Sequence, residues 1–339
     1  MKEKKNVKIA LAAVLFVGLI VFPIVDKNTY HQLALAQTLV NIIIVLGLNF
    51  ITGLTGQMNL GTAGIMALGA YSGQLMVQKL GMATILTIPV AILMGVIIGY
   101  ALGYPSLRLK GVYLSLTTIG FSEIVRLVIT NWADFTGGTT GVQNIPALNI
   151  FGLRLDATWK LTVFLVVVCA LLIFTAYRIV GSKYGRVFKA IRDNIEAVEA
   201  CGIDVAGLKI KAFTLAAIFG CIGGCFYGFL MTYLNPTQFT QDLSANYLLM
   251  MMFGGIGSVP GSVIGAAAVT LLPEFLRFTK EYYWLIFGII TLLFAIFLPY
   301  GFISLFQKEK REEAGIFKIL NDRKGKRKTA GAPKSGGMK

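Results

Sequence analysis

Apolar residues run along this chain in stretches of roughly twenty, separated at short intervals by glycine, proline or a few charges. A helix of about 20 apolar residues spans the hydrocarbon core of a bilayer, so each stretch reads as a membrane-crossing helix. The pattern predicts spans near residues 9–25, 33–52, 60–79, 83–103, 112–131, 160–179, 212–233, 245–259, 261–276 and 283–303. This is an all-α, polytopic integral membrane helix bundle of about 10 transmembrane helices, roughly 8 to 10 by the length criterion. The two stretches before residue 276 are short and meet at "GGIGSVPGS". They are either two tilted spans or one broken, partly re-entrant unit, since opened backbone at membrane depth needs protein or a wet cavity to satisfy it.

One stretch departs from this pattern. In "GRVFKAIRDNIEAVEACGI", residues 185–203, Val187, Ile191, Ile195 and Val198 recur at helical steps on one face. Arg186, Lys189, Arg192, Asp193, Glu196 and Glu199 occupy the rest. Each charge would cost about 2.5 to 3.5 kcal/mol at the bilayer centre, so this helix is expected in water, lying against something.

Composition and charge sharpen the picture. Hydrophobic residues make up 56% of the chain and charged residues 14%, against about a quarter charged in soluble domains. Segments 1–8, 104–111, 178–211 and 307–339 hold 24 of the 31 lysines and arginines. The positive-inside rule then places those segments, and both termini, in the cytoplasm. The resulting organisation is a cytoplasmic N-terminus at 1–8, a transmembrane domain at 9–303 with a cytoplasmic loop at 180–211, and a basic tail at 304–339. The tail is low in complexity and is expected to be disordered, near anionic lipid and not on nucleic acid. The net charge of +15 belongs to these cytoplasmic pieces.

Candidate chemistry is sparse. His31 is the one histidine, and no H-E-x-x-H, G-x-S-x-G or phosphate-loop motif occurs. An enzyme is not expected, nor a metal site, nor ATP binding by this chain itself. Cys169, Cys201, Cys221 and Cys225 are not placed where oxidation would pair them.

Glycine carries more. Gly95, Gly99 and Gly103, then Gly220, Gly224 and Gly228, then Gly257, Gly261 and Gly265 each stand four apart, the spacing of a smooth face on which another helix packs closely. In "TGLTGQMNLGTAGIMALGAYSGQ", residues 52–74, Gly53 and Gly56 interrupt one span and Gln57, Asn59 and Thr62 begin the next. Such a polar break suggests a wet or protein-lined passage, with Gly56, Gln57, Asn59 and Thr62 as pathway candidates. A similar break in "MMMFGGIGSVPGSVIGAAA" suggests pseudo-symmetric repeats around that pathway. Glu123 and Arg126 stand three apart within a span and join the pathway candidates, although the spacing favours mutual pairing over contact with solute.

Four blocks carry a family resemblance: "TGLTGQMNLGTAGIMALGAYSG", "LRLKGVYLSLTTIGFSEIVRLVITNWADFTGGTTGV", "GRVFKAIRDNIEAVEACGIDVAGLKIKAF" and "GGIGSVPGSVIGAA". In order and separation, over roughly residues 35 to 300, they resemble the LivM-type permease subunit of branched-chain amino-acid ABC importers. The resemblance implies the permease fold of type II importers in a bacterial plasma (inner) membrane, forming a pathway for branched-chain, hydrophobic amino acids. It implies a LivH-like partner permease, two cytoplasmic ATPase subunits that carry ATP and Mg, and an extracytoplasmic solute-binding protein, with no cofactor in this chain. Glu196, Ala197 and Gly202 fit the E-A-A-x-x-x-G loop by which such permeases dock on their ATPases, with Val198 replacing the second alanine. The implied docking set is Arg186, Lys189, Ile191, Arg192, Glu196, Ala197, Glu199 and Gly202, the helix lying apolar side down in a groove of the ATPase and ending at Gly202. Many relatives carry histidine at the place of Thr62, so no titrating role is implied there. Permeases of urea and short-amide importers share most of these blocks and form the alternative. A self-sufficient channel or secondary carrier is disfavoured, because Glu123 is the one carboxylate deep in a span.

Overall fold

A computed structural model describes residues 16–276 apart from 110 and 151, together with residues 285, 286, 288, 289, 292 and 301. The N-terminus at 1–8, the start of the first span, most of the span at 283–303 and the tail at 304–339 lie outside the described residues.

Every expected span up to residue 276 is met by a helix. In chain order these are α1 (Phe16–Val25), α2 (Thr29–Leu48), α3 (Thr62–Leu80), α4 (Thr87–Ser106) and α5 (Val112–Asn131). A short α6 (Ala133–Thr136) is followed by α7 (Thr158–Gly181), α8 (Lys183–Asp193), α9 (Ile195–Ala200), α10 (Val205–Met231), α11 (Gln241–Gly254) and α12 (Val259–Leu276). Among the described residues five helices are long and apolar enough to cross a membrane: α2 with its extension to Leu54, α4 with the turn before it, α5, α7 and α10. The fold is a helical bundle, and among the described residues strand is limited to a two-residue hairpin, Asn149–Ile150 against Leu153–Arg154.

The bundle is built round α2 and α10. Their apolar segments are 83% and 78% buried, against 33% for α4 and α5 and 22% for α7, whose remaining faces meet the surroundings. Lipid gives no hydrophobic drive between spans, so the helices approach through small residues. On α4, Gly95, Gly99 and Gly103 lie against the backbone of Ile218, Thr214 and Ile210 of α10. On α10, Gly220 meets Ile65, Gly224 meets Met66 and Ala70, and Gly228 meets Gln74, all on α3. Gly261 and Gly265 of α12 press against Gly254 of α11. Gly257 departs from its expected place on a helix face. It stands in the turn between α11 and α12 at φ +82, a conformation that favours glycine. The expected spans at 245–259 and 261–276 are two helices, α11 and α12, joined by that glycine turn. The 14 residues of α11 reach about 21 Å, less than the bilayer core of about 30 Å.

Candidate functional site

The charged segment 183–203 forms α8 and α9, not one continuous helix. Asn194 adopts extended backbone between them, and its side-chain oxygen accepts from the N–H of Ala197 at 3.0 Å, capping α9. Gly185, Phe188 and Ile191 form the buried face with Val198, while Val187 and Ile195 are only half-buried. Phe188 is 0% exposed. This apolar side rests on α7, α10 and the end of α2 within the same chain, which corrects the expectation that it lies down in a groove of a partner. Arg186, Lys189, Glu196, Ala197 and Glu199 are exposed. Gly202, at φ +74, ends α9: its N–H donates to Glu199 at 2.9 Å and the N–H of Ile203 to Val198 at 3.4 Å. These two bonds satisfy the last carbonyls of the helix as a Schellman motif does.

Beneath α8 the two glycine breaks meet. α2 runs on into a π-helical turn, Asn49–Leu54, and the Asn49 side-chain oxygen accepts from the N–H of Gly257 at 2.9 Å. A Cβ at Gly53 would collide with that Asn49 side chain, so Gly53 leaves the path open for it. Arg192 Nη1 donates to the Gly53 carbonyl at 2.8 Å. Cβ atoms added at Gly56 and Gly257 would come within 3.0 Å and 3.3 Å of the Arg192 side chain. Arg192, expected on the polar face toward a partner, is thus tied into its own membrane domain.

After the π turn the chain doubles back to α3. Because Ile65 lies level with Gly220 on α10, and Gly220 stands about 22 Å along that helix from Val205, α3 begins well inside the bundle. Donors just before and within its first turn find fixed partners: Leu60 N–H donates to Thr118 Oγ1 of α5 at 3.0 Å and Ala63 N–H to Ser244 Oγ of α11 at 2.9 Å. Asn59 shapes the turn, its N–H donating to Thr52 Oγ1 at 3.3 Å and its Oδ1 accepting from Gly61 N–H at 2.8 Å. Asn59 and Thr62 are buried within this chain, whereas Gly56 is exposed and Gln57 half-buried. The Gln57 side-chain oxygen and the Thr62 hydroxyl have no hydrogen-bond partner among the described residues. The break therefore divides into a structural part at Asn59 and a part at Gly56 that is open to the surroundings, with the buried oxygen of Gln57 between them. Asn49, Thr118 and Ser244 were missed from sequence. Asn49 could have been found as a polar side chain one helical turn before Gly53.

Residues 31–296 match the family described as branched-chain amino acid transport system / permease component. The chain belongs to this permease family. It is 31% identical over 304 residues to the high-affinity branched-chain amino acid transport system permease protein LivM of Escherichia coli K12, covering 83% of this chain and 72% of that protein. It is 28% identical over 235 residues to the probable branched-chain amino acid transport permease protein LivM of Methanocaldococcus jannaschii, covering 65% of this chain and 68% of that one. The autoinducer 2 import system permease protein LsrC of Escherichia coli O9:H4 is 23% identical over 226 residues, covering 62% of this chain and 64% of that protein. No solved structure matches the chain.

On the permease's α5, the Arg126 guanidinium donates to both Glu123 oxygens, through Nε at 3.0 Å and through Nη2. The side chains are 28% and 46% exposed respectively, so the pair stands on the flank of the bundle and is not sealed inside it. Elsewhere in the permease, the thiols of Cys169, Cys221 and Cys225 are buried and Cys201 is exposed, all four free.

Proposed function

We propose that this permease pairs with a second, LivH-like permease to enclose the pathway of an ATP-driven importer. Two cytoplasmic ATPases dock on α8 and α9 and supply ATP and Mg, and an extracytoplasmic binding protein delivers branched-chain, hydrophobic amino acids. One observation carries this reading: a charged helix pair with Arg186, Lys189, Glu196 and Glu199 outward is seated by Phe188 and Ile191 on the membrane domain. A seated helix transmits force; a floppy loop does not. The sequence holds no phosphate loop, so the motor comes from elsewhere.

The α8–α9 end is the cytoplasmic one. It carries the basic segment 178–211 and exposed Tyr100, Tyr104, Tyr113, Tyr177 and Tyr184, with Trp132, Phe135 and Trp159 exposed toward the opposite end, the pattern of aromatic belts at two membrane surfaces. The N-terminus and the tail at 304–339 then lie in the cytoplasm. The second permease, or the water-filled pathway it closes, covers Glu123 and Arg126, since a half-exposed ion pair in mid-span is costly against lipid. The relatives' names support branched-chain amino acids as the solute, while the LsrC likeness indicates that the fold serves other cargo.

The test is assembly. Reversing Lys189 and Glu196 together (K189E, E196K) is expected to leave membrane levels intact and to reduce co-purified ATPase about tenfold or more, the loss expected for two charge-assisted contacts. Unchanged ATPase recovery overturns the docking reading.

A further inference from the structure

We propose that Arg192 is a positioning residue that latches the ATPase-facing helix to both glycine breaks, so that movement of α8 opens and closes the cytoplasmic end of the pathway. This rests on the docking reading above. Two elements distant in sequence from α8 converge on the Arg192 side chain. Arg192 on α8 donates to Gly53 O at 2.8 Å, its aliphatic part lies against Gly56, and its Nη1 lies against Gly257. Asn49 then ties Gly257 to the π turn at 2.9 Å. The two breaks and the docking helix are thereby one mechanical unit.

The chemistry makes the unit switchable. A π turn in place of an α-helix is a local compromise that recurs at functional sites, and where this one ends the Gly53 carbonyl takes its bond from the docking segment. A charge-assisted bond of that kind is lost once donor and acceptor separate past about 3.5 Å. Displacement of α8 by little more than half an ångström must therefore either drag Gly53 along or release it. Gly56, beside the aliphatic part of Arg192, is exposed, and Gln57 next to it keeps a buried oxygen with no hydrogen-bond partner among the described residues, so release opens that oxygen to the surroundings that Gly56 already meets.

Two measurements test the latch. In the full importer complex reconstituted in vesicles with its binding protein, Arg192→Ala is expected to keep ATPase recovery and ATP hydrolysis within about twofold, while leucine uptake per ATP falls about tenfold or more, as for loss of a hydrogen bond to a charged group. Arg192→Lys, which retains one charged donor for Gly53, restores part of the ratio. In the permease without ATPases, a cysteine at Gln57 in a background lacking the native four thiols is expected to react with a small membrane-permeant maleimide about tenfold faster when Arg192 is alanine. An unchanged maleimide rate, or uptake and ATP hydrolysis that fall together with lost ATPase recovery, overturns the latch. Failure of the wild-type permease to recover ATPases removes the docking reading instead, and the maleimide rate still decides the latch.

Discussion

Gly95→Ala adds one methyl group at the seam between α4 and α10. The new Cβ would lie 2.5 Å from Ile218 Cα, 2.8 Å from its nitrogen and 3.0 Å from the carbonyl carbon of Ala217. All three are backbone atoms of α10, so no side chain can swing away. Carbon atoms rest at about 3.5 to 4.0 Å, and α4 must retreat by roughly 1 Å. A gap of that size forfeits a quarter to a half of each contact worth about 0.1 to 0.2 kcal/mol. Over the few tens of contacts along the Gly95–Gly103 seam this comes to about 1 to 3 kcal/mol, within the usual range for overpacking. No hydrophobic term offsets it in lipid. Gly120→Ala on α5 is the control, because a Cβ there meets nothing within 4 Å and alanine favours the helix by about 0.5 to 1 kcal/mol. The assay is reversible unfolding of the purified permease in mixed detergent, read as the free-energy difference between the two variants. If Gly95→Ala is as stable as Gly120→Ala, the seam is not packed on these glycines and the reasoning fails.

The remaining expectations concern the pairs Glu123–Arg126 and Asp26–His31. Because Glu123 and Arg126 are 46% and 28% exposed on this chain, Glu123→Gln alone should cost under about 1 kcal/mol in detergent, as exposed pairs do, and not the roughly 3 to 5 kcal/mol of a sealed pair; its larger effect should be on co-purification with the second permease, and a collapsed yield of the single chain would count against an interface position. At the turn between α1 and α2, the Asn28 N–H and then the His31 ring, 2.7 Å away, hold the Asp26 carboxyl below its usual value of 3.8. A lowered folded value means that ionised Asp26 stabilises the hairpin above the ordinary carboxylate range and that this contribution is lost as pH falls through the depressed value. The difference in thermal midpoint between wild type and Asp26→Asn should therefore shrink between pH 6 and pH 3, and a constant difference would refute it.

Span positions were legible because length and apolarity are physical requirements of the bilayer, met locally. α4, α5 and α7 lie close to where the pattern put them. The two glycine breaks were legible for the converse reason, since opened backbone cannot face lipid. What escaped was phase and partner choice. The buried face of α8 follows Gly185, Phe188 and Ile191, and α9 starts anew after Asn194; one polar residue in a charged stretch announces no break. The π turn at Asn49–Leu54 has no composition of its own; the bond from Asn49 to Gly257, more than two hundred residues away, goes with it. Gly257 shared its spacing with true helix-face glycines, and only its positive φ separates it from Gly261 and Gly265.

The same requirement that exposes a break also says which half of it can move. Every opened backbone group at depth needs a partner, and this permease draws partners for the first break from two kinds of element. The half leading into α3 is held by Thr118 of α5 and Ser244 of α11, buried hydroxyls on spans inside the bundle. The half leaving α2 is held by Arg192 of α8, a helix outside it. Buried hydroxyls bonded to a helix start are expensive to release, because parting them leaves unsatisfied groups at about 1 to 3 kcal/mol each. The Arg192 guanidinium is exposed and can turn to water, so parting this bond strands one acceptor, the buried Gly53 carbonyl, and no donor. Under the latch proposed above, motion imposed on α8 is expressed at Gly53, Gly56 and Gly257 while the start of α3 stays fixed, and the moving boundary falls between Gln57 and Asn59.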